Sequence, residues 1–335
     1  MIGISGIGSA IFASARKFSR VTMAATFALV VTASHGQGFP THVIRVIVPF
    51  SAGGSSDVIA RNFTNQLSIA LGQPVVIENR PGAATNIGSD AVANAAPDGY
   101  TLLLASAQMT INSVFGPIPK YDMFSAFMPV SMIGRLPFII AARTQFPFET
   151  FGPLLAEARK NPGKYTIGTA QLEMFVELLK VRTESDFLHV PFRGGAESIV
   201  DTISGQVDMT MNLGPVLLPQ VRAGKLKPVG VASSKRLDVF PSTPTFRELG
   251  FDYEVSYWYG LVAPAGTPKA IVDRLTKESR QIVESPGFGS FMRDNGGLVD
   301  ASGPDEMRAA MEKEVAAWRE LGKRVPALLA AGKGK

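Results

Sequence analysis

Twice in this chain an apolar run stops at Pro-Phe, passes a Gly-Gly pair and enters a helical pattern. The first instance is Val48-Pro-Phe-Ser-Ala-Gly-Gly54 and the second is Val190-Pro-Phe-Arg-Gly-Gly195. A strand is written as a short β-branched or alternating run, and a helix as apolar residues every three or four positions. A change from one to the other across a glycine turn marks a strand–helix unit. Its occurrence in both the early and the middle part of the chain predicts two α/β lobes. Each presents a Gly-rich turn at the carboxyl end of a strand, the edge at which open α/β sheets hold ligands.

The same grammar runs through the rest of the sequence. Residues 43–48 predict a buried strand. A helix follows with Ile59, Phe63, Leu67 and Leu71 at four-residue steps, ended by Gly72 and Pro74. Residues 75–78 and 100–105 predict two more strands, separated by the loop 79–86, a short helix and the turn Pro97-Asp-Gly99. In the middle, Thr150 is placed to cap a helix through Lys160, residues 165–169 and 187–190 read as strands, and Leu172, Phe175, Val176 and Leu179 stripe a helix between them. A helix from Ala196 to Gly205 and strands at 207–211 and 229–232 complete this part. Near the C-terminus, Thr267-Pro268 predicts an N-cap and first helical position. A last helix starts near Pro304 with Met307, Met311, Val315 and Trp318 inward, and its tail from Ala331 is expected to be loose.

Composition removes several function classes. The 335 residues suit about two domains, and 46% hydrophobic against 18% charged residues exclude global disorder. Cysteine is absent, which excludes disulfide scaffolds, thiolate zinc sites, iron–sulfur clusters and cysteine nucleophiles. The three histidines, His35, His42 and His189, are too few for a histidine-rich metal site. No cofactor or metal is expected. Arg16, Lys17 and Arg20 precede an apolar run at 21–33, and Ser34 and Gly36 supply small residues for cleavage before Gln37. Residues 1–36 are therefore read as a signal peptide, with an apolar run too short to span a bilayer comfortably. Removing them leaves 30 basic against 28 acidic residues, so the formal charge of +5 is mostly a leader effect and nucleic acid is not an expected partner.

The turn from Ser51 through Ala52, Gly53, Gly54, Ser55 and Ser56 to Asp57 is the leading candidate site. Its glycines let backbone amides approach a ligand, and the following helix adds oriented N–H groups suited to a carboxylate or phosphate. It matches neither the P-loop nor the dinucleotide spacing. The alternative is a tight turn in which Ser55 or Ser56 caps the helix, and Asp57 reads more readily as a cap than as a ligand group. Thr85, Asn86, Ser106, Gln108 and Thr110 either line a cleft or satisfy local backbone. Arg193 is apt for carboxylate recognition, or is a surface arginine. His189 reads as a satisfied strand histidine. Tyr257-Trp-Tyr259 either stacks on a ligand or packs the core. A hydrolase using Ser51, Ser55 or Ser56 lacks a convincing base.

Several stretches carry a family resemblance: Ile47-Val-Pro-Phe-Ser-Ala-Gly-Gly-Ser-Ser-Asp57, Val76-Ile-Glu-Asn-Arg-Pro-Gly82, Asn86-Ile-Gly88, Ala95-Ala-Pro-Asp-Gly-Tyr-Thr-Leu-Leu-Leu104, His189-Val-Pro-Phe-Arg-Gly-Gly195, Gly205-Gln-Val-Asp208, Ala223-Gly-Lys-Leu226 and Gly260-Leu-Val-Ala-Pro-Ala-Gly-Thr-Pro268. In this order the chain resembles the Bug-type (TctC-like) solute receptors of tripartite tricarboxylate transporters. The resemblance implies an α/β, two-lobed periplasmic binding protein, type II-like, each lobe a mostly parallel sheet flanked by helices. Lobe 1 is then 37–141 plus 260–335, and lobe 2 is 142–259.

It also implies a small carboxylate held in the cleft, membrane transporter subunits as partners, a monomer, and no catalysis. The ligand contacts carried over are Ser51 to Asp57, Thr85, Asn86, Ser106, Ala107 and Gln108 in the first lobe. In the second they are Gly168, Thr169, Ala170, Phe192, Arg193, Gly194 and Asn212. Two departures stand out. Ser51 replaces the usual proline. After Ala170 the expected Ser/Thr-rich loop is short by about four residues, a pattern-level reading. Glu173 in that place would repel a distal carboxylate, which predicts a monocarboxylate or amphipathic acid, or a loss of tight binding. A ligand-presenting partner of a membrane kinase is the alternative role.

Overall fold

The computed structural model describes residues 38–170, 173–192 and 194–332. The candidate signal peptide, Gln171, Leu172, Arg193 and the last three residues lie outside the described residues. The compact unit begins at His42.

Strand β1 (Ile44–Val48) buries every side chain except Arg45, as expected of a β-branched run covered on both faces. It pairs in parallel with β2 (Val75–Asn79) and β3 (Thr101–Ser106). Helix α1 (Ser55–Leu71) connects β1 to β2 and buries Ile59, Phe63, Leu67 and Leu71, the four positions of the sequence stripe. Gly72 ends it at φ 67°, where its N–H reaches the Ile69 carbonyl. Helix α2 (Asn86–Ala93) connects β2 to β3, and α3 (Ala107–Asn112) and α4 (Met123–Ala126) follow.

The chain then crosses. Strand β4 (Phe127–Pro137) lies in the first sheet and β5 (Ile139–Arg143) in the second, with Phe138 at the changeover. The second sheet is completed by β6 (Thr166–Ala170), β7 (Leu188–Phe192), β8 (Met209–Asn212) and β9 (Leu226–Val231), in the order β7-β6-β8-β5-β9. Its helices are α5 (Phe151–Lys160), α6 (Glu173–Thr183), α7 (Gly195–Ser204) and α8 (Gly214–Arg222). Strand β6 is parallel to both neighbours, whereas β5 is antiparallel to both of its own.

Strand β10 (Ser256–Pro264) returns to the first sheet and lies antiparallel between β3 and β4. With the two-residue β11 (Leu298–Val299), that sheet runs β11-β4-β10-β3-β1-β2. Helices α9 (Lys269–Glu284), α10 (Pro286–Asp294), α11 (Pro304–Arg324) and α12 (Pro326–Gly332) end the described chain, with α9 and α11 packed on β4. Both sheets are therefore mixed. The parallel strands are the ones that periodicity predicts, and the antiparallel pairing comes from β4, β5 and β10. The chain passes from one sheet to the other at Phe138 and again between β9 and β10.

Three helix starts differ from expectation. Gly54, not a serine, is the N-cap of α1. Thr150 occupies the N-cap of α5 but makes no side-chain cap bond. Helix α9 begins at Lys269 with Pro268 as N-cap at ψ 135°, because Thr267 Oγ1 donates to the Pro264 carbonyl and closes the preceding turn instead.

Candidate functional site

The carboxyl ends of β1, β2 and β3 and those of β6, β7 and β8 border one cavity of about 370 Å³. From the first sheet come the β1–α1 turn (Pro49, Phe50, Ser51, Gly54, Ser55, Ser56), the turn from Pro81 to Thr85, and Gln108. From the second come Ala170, Gly194, Gly195, Asn212, Leu213 and Val216. Tyr257 and Tyr259 of β10 complete the lining.

Four helices start here. Gly54 is the N-cap of α1, Thr85 of α2, Gly194 of α7 and Leu213 of α8, and none of the four makes a side-chain cap hydrogen bond. Each start leaves backbone N–H groups without an intrahelical acceptor and carries a partial positive charge. No Asp, Glu, Lys, Arg or His is among the described lining residues. The cavity therefore presents converging amide dipoles without a formal charge, a chemistry suited to an anion.

Asp57 does not offset that field within the cavity. Its side chain is nearly buried, with Oδ2 accepting from the Gly53 N–H at 3.0 Å and from Arg61 Nε at 2.8 Å, and Oδ1 accepting from Asn79 Nδ2 at 3.0 Å. Burial on its own would raise its pKa. The Arg61, Gly53 and Asn79 donors and the Arg61 charge outweigh it and hold the carboxyl below its usual range. The carboxylate is thus a staple for the turn, in which Gly53 takes φ +82°.

The second turn is wound left-handed. Gly82, Ala83, Ala84 and Thr85 all have positive φ, at 128°, 45°, 49° and 78°. Three consecutive non-glycine residues in that region are strained and require outside support. Asn112 Nδ2 donates to the Ala84 carbonyl at 2.6 Å and to Asn86 Oδ1 at 3.0 Å, and Asn86 Nδ2 donates to the Pro117 carbonyl at 2.9 Å. Thr85 Oγ1 is buried, has no hydrogen-bond partner, and belongs to a residue that lines the cavity. On the second-sheet side, a Cβ at Gly195 would stand 2.3 Å from Asn212 Oδ1, so this pairing admits only glycine. Asn212 Nδ2 is held by Ser198 Oγ at 3.0 Å and Thr210 Oγ1 at 2.7 Å.

Of the residues expected at the site, Ser51, Gly54, Ser55, Ser56, Thr85, Gln108, Ala170, Gly194 and Asn212 line the cavity. Ala52, Gly53, Asp57, Asn86, Ser106, Ala107, Gly168, Thr169 and Phe192 are not among its lining residues, and Arg193 lies outside the described residues. Thr169 Oγ1 is 2.8 Å from His189 Nε2, and burial lowers the pKa of that histidine despite Glu173 and Glu177 nearby. His189 is the satisfied strand histidine the sequence suggests. Glu173 opens α6 and is not in the cavity wall. Leu213 and Val216 carry no sequence signal for a site. Tyr257 and Tyr259 carry one only as an aromatic cluster.

Two mixed α/β sheets, joined by crossing strands and sharing a cavity at their carboxyl ends, define the periplasmic binding protein class of fold. Residues 59–325 match the family model of the tripartite tricarboxylate transporter family receptor. The chain belongs to that family. It is 32% identical over 298 residues to protein BugT of Bordetella pertussis, covering 86% of this chain and 91% of BugT. Among solved structures it is similar to Rpa4515 of R. palustris with adipate, at 30% identity and TM-score 0.79 over 85% of this chain and 97% of that one. It is also similar to MatC of Rhodopseudomonas palustris with bound malate, at 30% identity and TM-score 0.74 over 84% and 99%.

Proposed function

We propose that the mature chain is an exported receptor that binds a small carboxylate between two lobes and delivers it to a membrane transporter. The convergence of four uncapped helix N-termini on a cavity without charged lining carries this reading, because such a site stabilises an anion through amides alone. The adipate and malate bound by two similar proteins are in keeping with it. So is the absence of any His, Asp or Glu among the described lining residues, which leaves Ser51, Ser55 and Ser56 without a base and favours binding over catalysis. Among the described residues no helix is long and apolar enough to cross a membrane, which fits a receptor released into the periplasm after loss of residues 1–36.

The lobes of this reading follow the two sheets, with borders at Phe138 and before Ser256, and they close as a hinge around ligand contacts on both sides. The receptor acts as a monomer. The test is a thermal-shift and calorimetric screen of residues 37–335 against adipate, malate, citrate, monocarboxylic acids and amino acids. A ligand at a hundredfold excess over its dissociation constant adds about 2.7 kcal/mol, a shift of several degrees. A saturable carboxylate isotherm supports the reading, and no response from ligand-free protein to any acid counts against it. Tight citrate binding would exclude the preference for a monocarboxylate. A membrane kinase recovered on the loaded receptor in place of transporter subunits would favour the sensor role.

A further inference from the structure

Strand β10 is the segment on which the chain returns to the first sheet, and its tyrosines reach two separate ligand turns. Ser56 Oγ, in the first turn of α1, donates to the Tyr259 phenol at 3.0 Å. Ser106 Oγ, at the N-cap of α3, lies 3.3 Å from the Tyr257 phenol and accepts from the Gln108 amide at 3.4 Å. Alternation along a strand sends Tyr257 and Tyr259 to one face and Trp258 to the other. The contacts agree: both tyrosines line the cavity, while Trp258 turns to Glu314 of α11. Both phenols are almost wholly buried, so their serine partners are the groups that satisfy them.

We propose that Tyr257 and Tyr259 are positioning residues of the ligand site. Each phenol holds one turn that borders the cavity, Tyr259 the start of α1 and Tyr257 the Ser106–Gln108 turn, so the lining residues Ser56 and Gln108 are both set from one strand. Ser56 and Ser106 act as anchors to β10, and their hydroxyls are spent there. This rests on the carboxylate-receptor reading, and it adds that the geometry of the first-lobe contacts is set from the crossing strand. A strand shared by the hinge and the site couples the two, because moving β10 moves both turns.

Two readouts test the inference in Tyr259→Phe, Tyr257→Phe and Ser56→Ala. In the ligand-free proteins, amide NMR shifts are expected to move around Gly53 to Asp57 for Tyr259→Phe and around Ser106 to Gln108 for Tyr257→Phe, each without the other. With the carboxylate found for the wild type, each tyrosine variant is expected to lose about tenfold in affinity, the net worth of one hydrogen bond. Tyr259→Phe combined with Ser56→Ala is expected to bind no worse than either alone. Thr276→Val removes a hydroxyl bonded to the Val130 carbonyl, outside the cavity wall, and controls for a matched loss of stability without loss of affinity. Unchanged amide shifts in the ligand-free variants overturn the proposal whether or not a ligand is found. Wild-type affinity in both tyrosine variants overturns it while leaving the receptor reading intact. A wild type that binds no acid overturns the receptor reading and leaves the amide shifts to decide the positioning role.

Discussion

The indole nitrogen of Trp258 donates to Oε2 of Glu314 at 2.6 Å, and Thr110 Oγ1 donates to the same oxygen at 2.7 Å. Helix α3 is thereby gripped from two directions, by Tyr257 at its start and by the Trp258–Glu314 pair at Thr110. Burial raises the Glu314 pKa, and the Thr110 and Trp258 donors and the Arg135 charge only partly oppose it.

This gives a pH signature. A carboxyl with a raised native pKa costs nothing when both states are protonated, below the ordinary value of 4.5. As pH rises through that value the unfolded chain releases its proton and the native state retains its own, so stability falls until the native group ionises. Glu314→Gln keeps an acceptor for Trp258 and Thr110 without the titration. Its melting temperature is expected to gain on the wild type as pH rises above about 4.5, where the unfolded carboxyl ionises. Parallel Tm–pH curves would show that the carboxyl is not perturbed.

Asp57 has the opposite sign. Its native pKa is lowered, so its stabilisation is present above the ordinary 3.8 and disappears as pH falls through the native value. Asp57→Asn weakens the charge-assisted bonds to Arg61 and Gly53, and is expected to cost about 1–2 kcal/mol at pH 7 and to flatten the acid limb. Urea unfolding at pH 7 and pH 3 measures both effects.

Stability and binding separate at Gly54. Its φ of −80° suits any residue, and an added Cβ meets only the Ser51 carbonyl at an ordinary 3.7 Å. Gly54→Asp supplies the missing cap of α1 and adds about 0.3 kcal/mol. The same carboxylate sits where a ligand anion would be held, so affinity is expected to fall at least a hundredfold. A rise in Tm together with a lost isotherm is the expected pair, and retained affinity would place the anion elsewhere.

Asn112 bears on the left-handed turn. It donates to Ala84 and Asn86 and accepts from Gln108 Nε2 at 2.8 Å, all while buried. Asn112→Ala leaves these partners unsatisfied and is expected to cost about 2–3 kcal/mol. With the support of Ala83 to Thr85 gone, calorimetry should show weaker ligand binding and a less favourable binding entropy, because the ligand must then order the turn.

Much of this architecture is local and so was readable from the chain itself. The stripe Ile59, Phe63, Leu67, Leu71, its stop at Gly72 and the Gly-Gly turns follow from contacts within a few residues and from the backbone freedom of glycine. They placed seven strands and the turns at their ends, and with them Ser51, Gly54, Thr85 and Gly194 beside the cavity, whereas Asn212 came only from the family resemblance. Strands β4 and β10 escaped the reading because long runs buried on both faces show no alternation. The role of Asp57 stayed open because a cap and a ligand group use the same atoms. Only the tertiary structure brought four helix starts to one point, turned Tyr259 onto Ser56 across 203 positions and set Trp258 against Glu314 across 56. Those pairings depend on which strands cross between the sheets, and crossing is settled by the long-range burial of whole faces, to which no short window of sequence is sensitive.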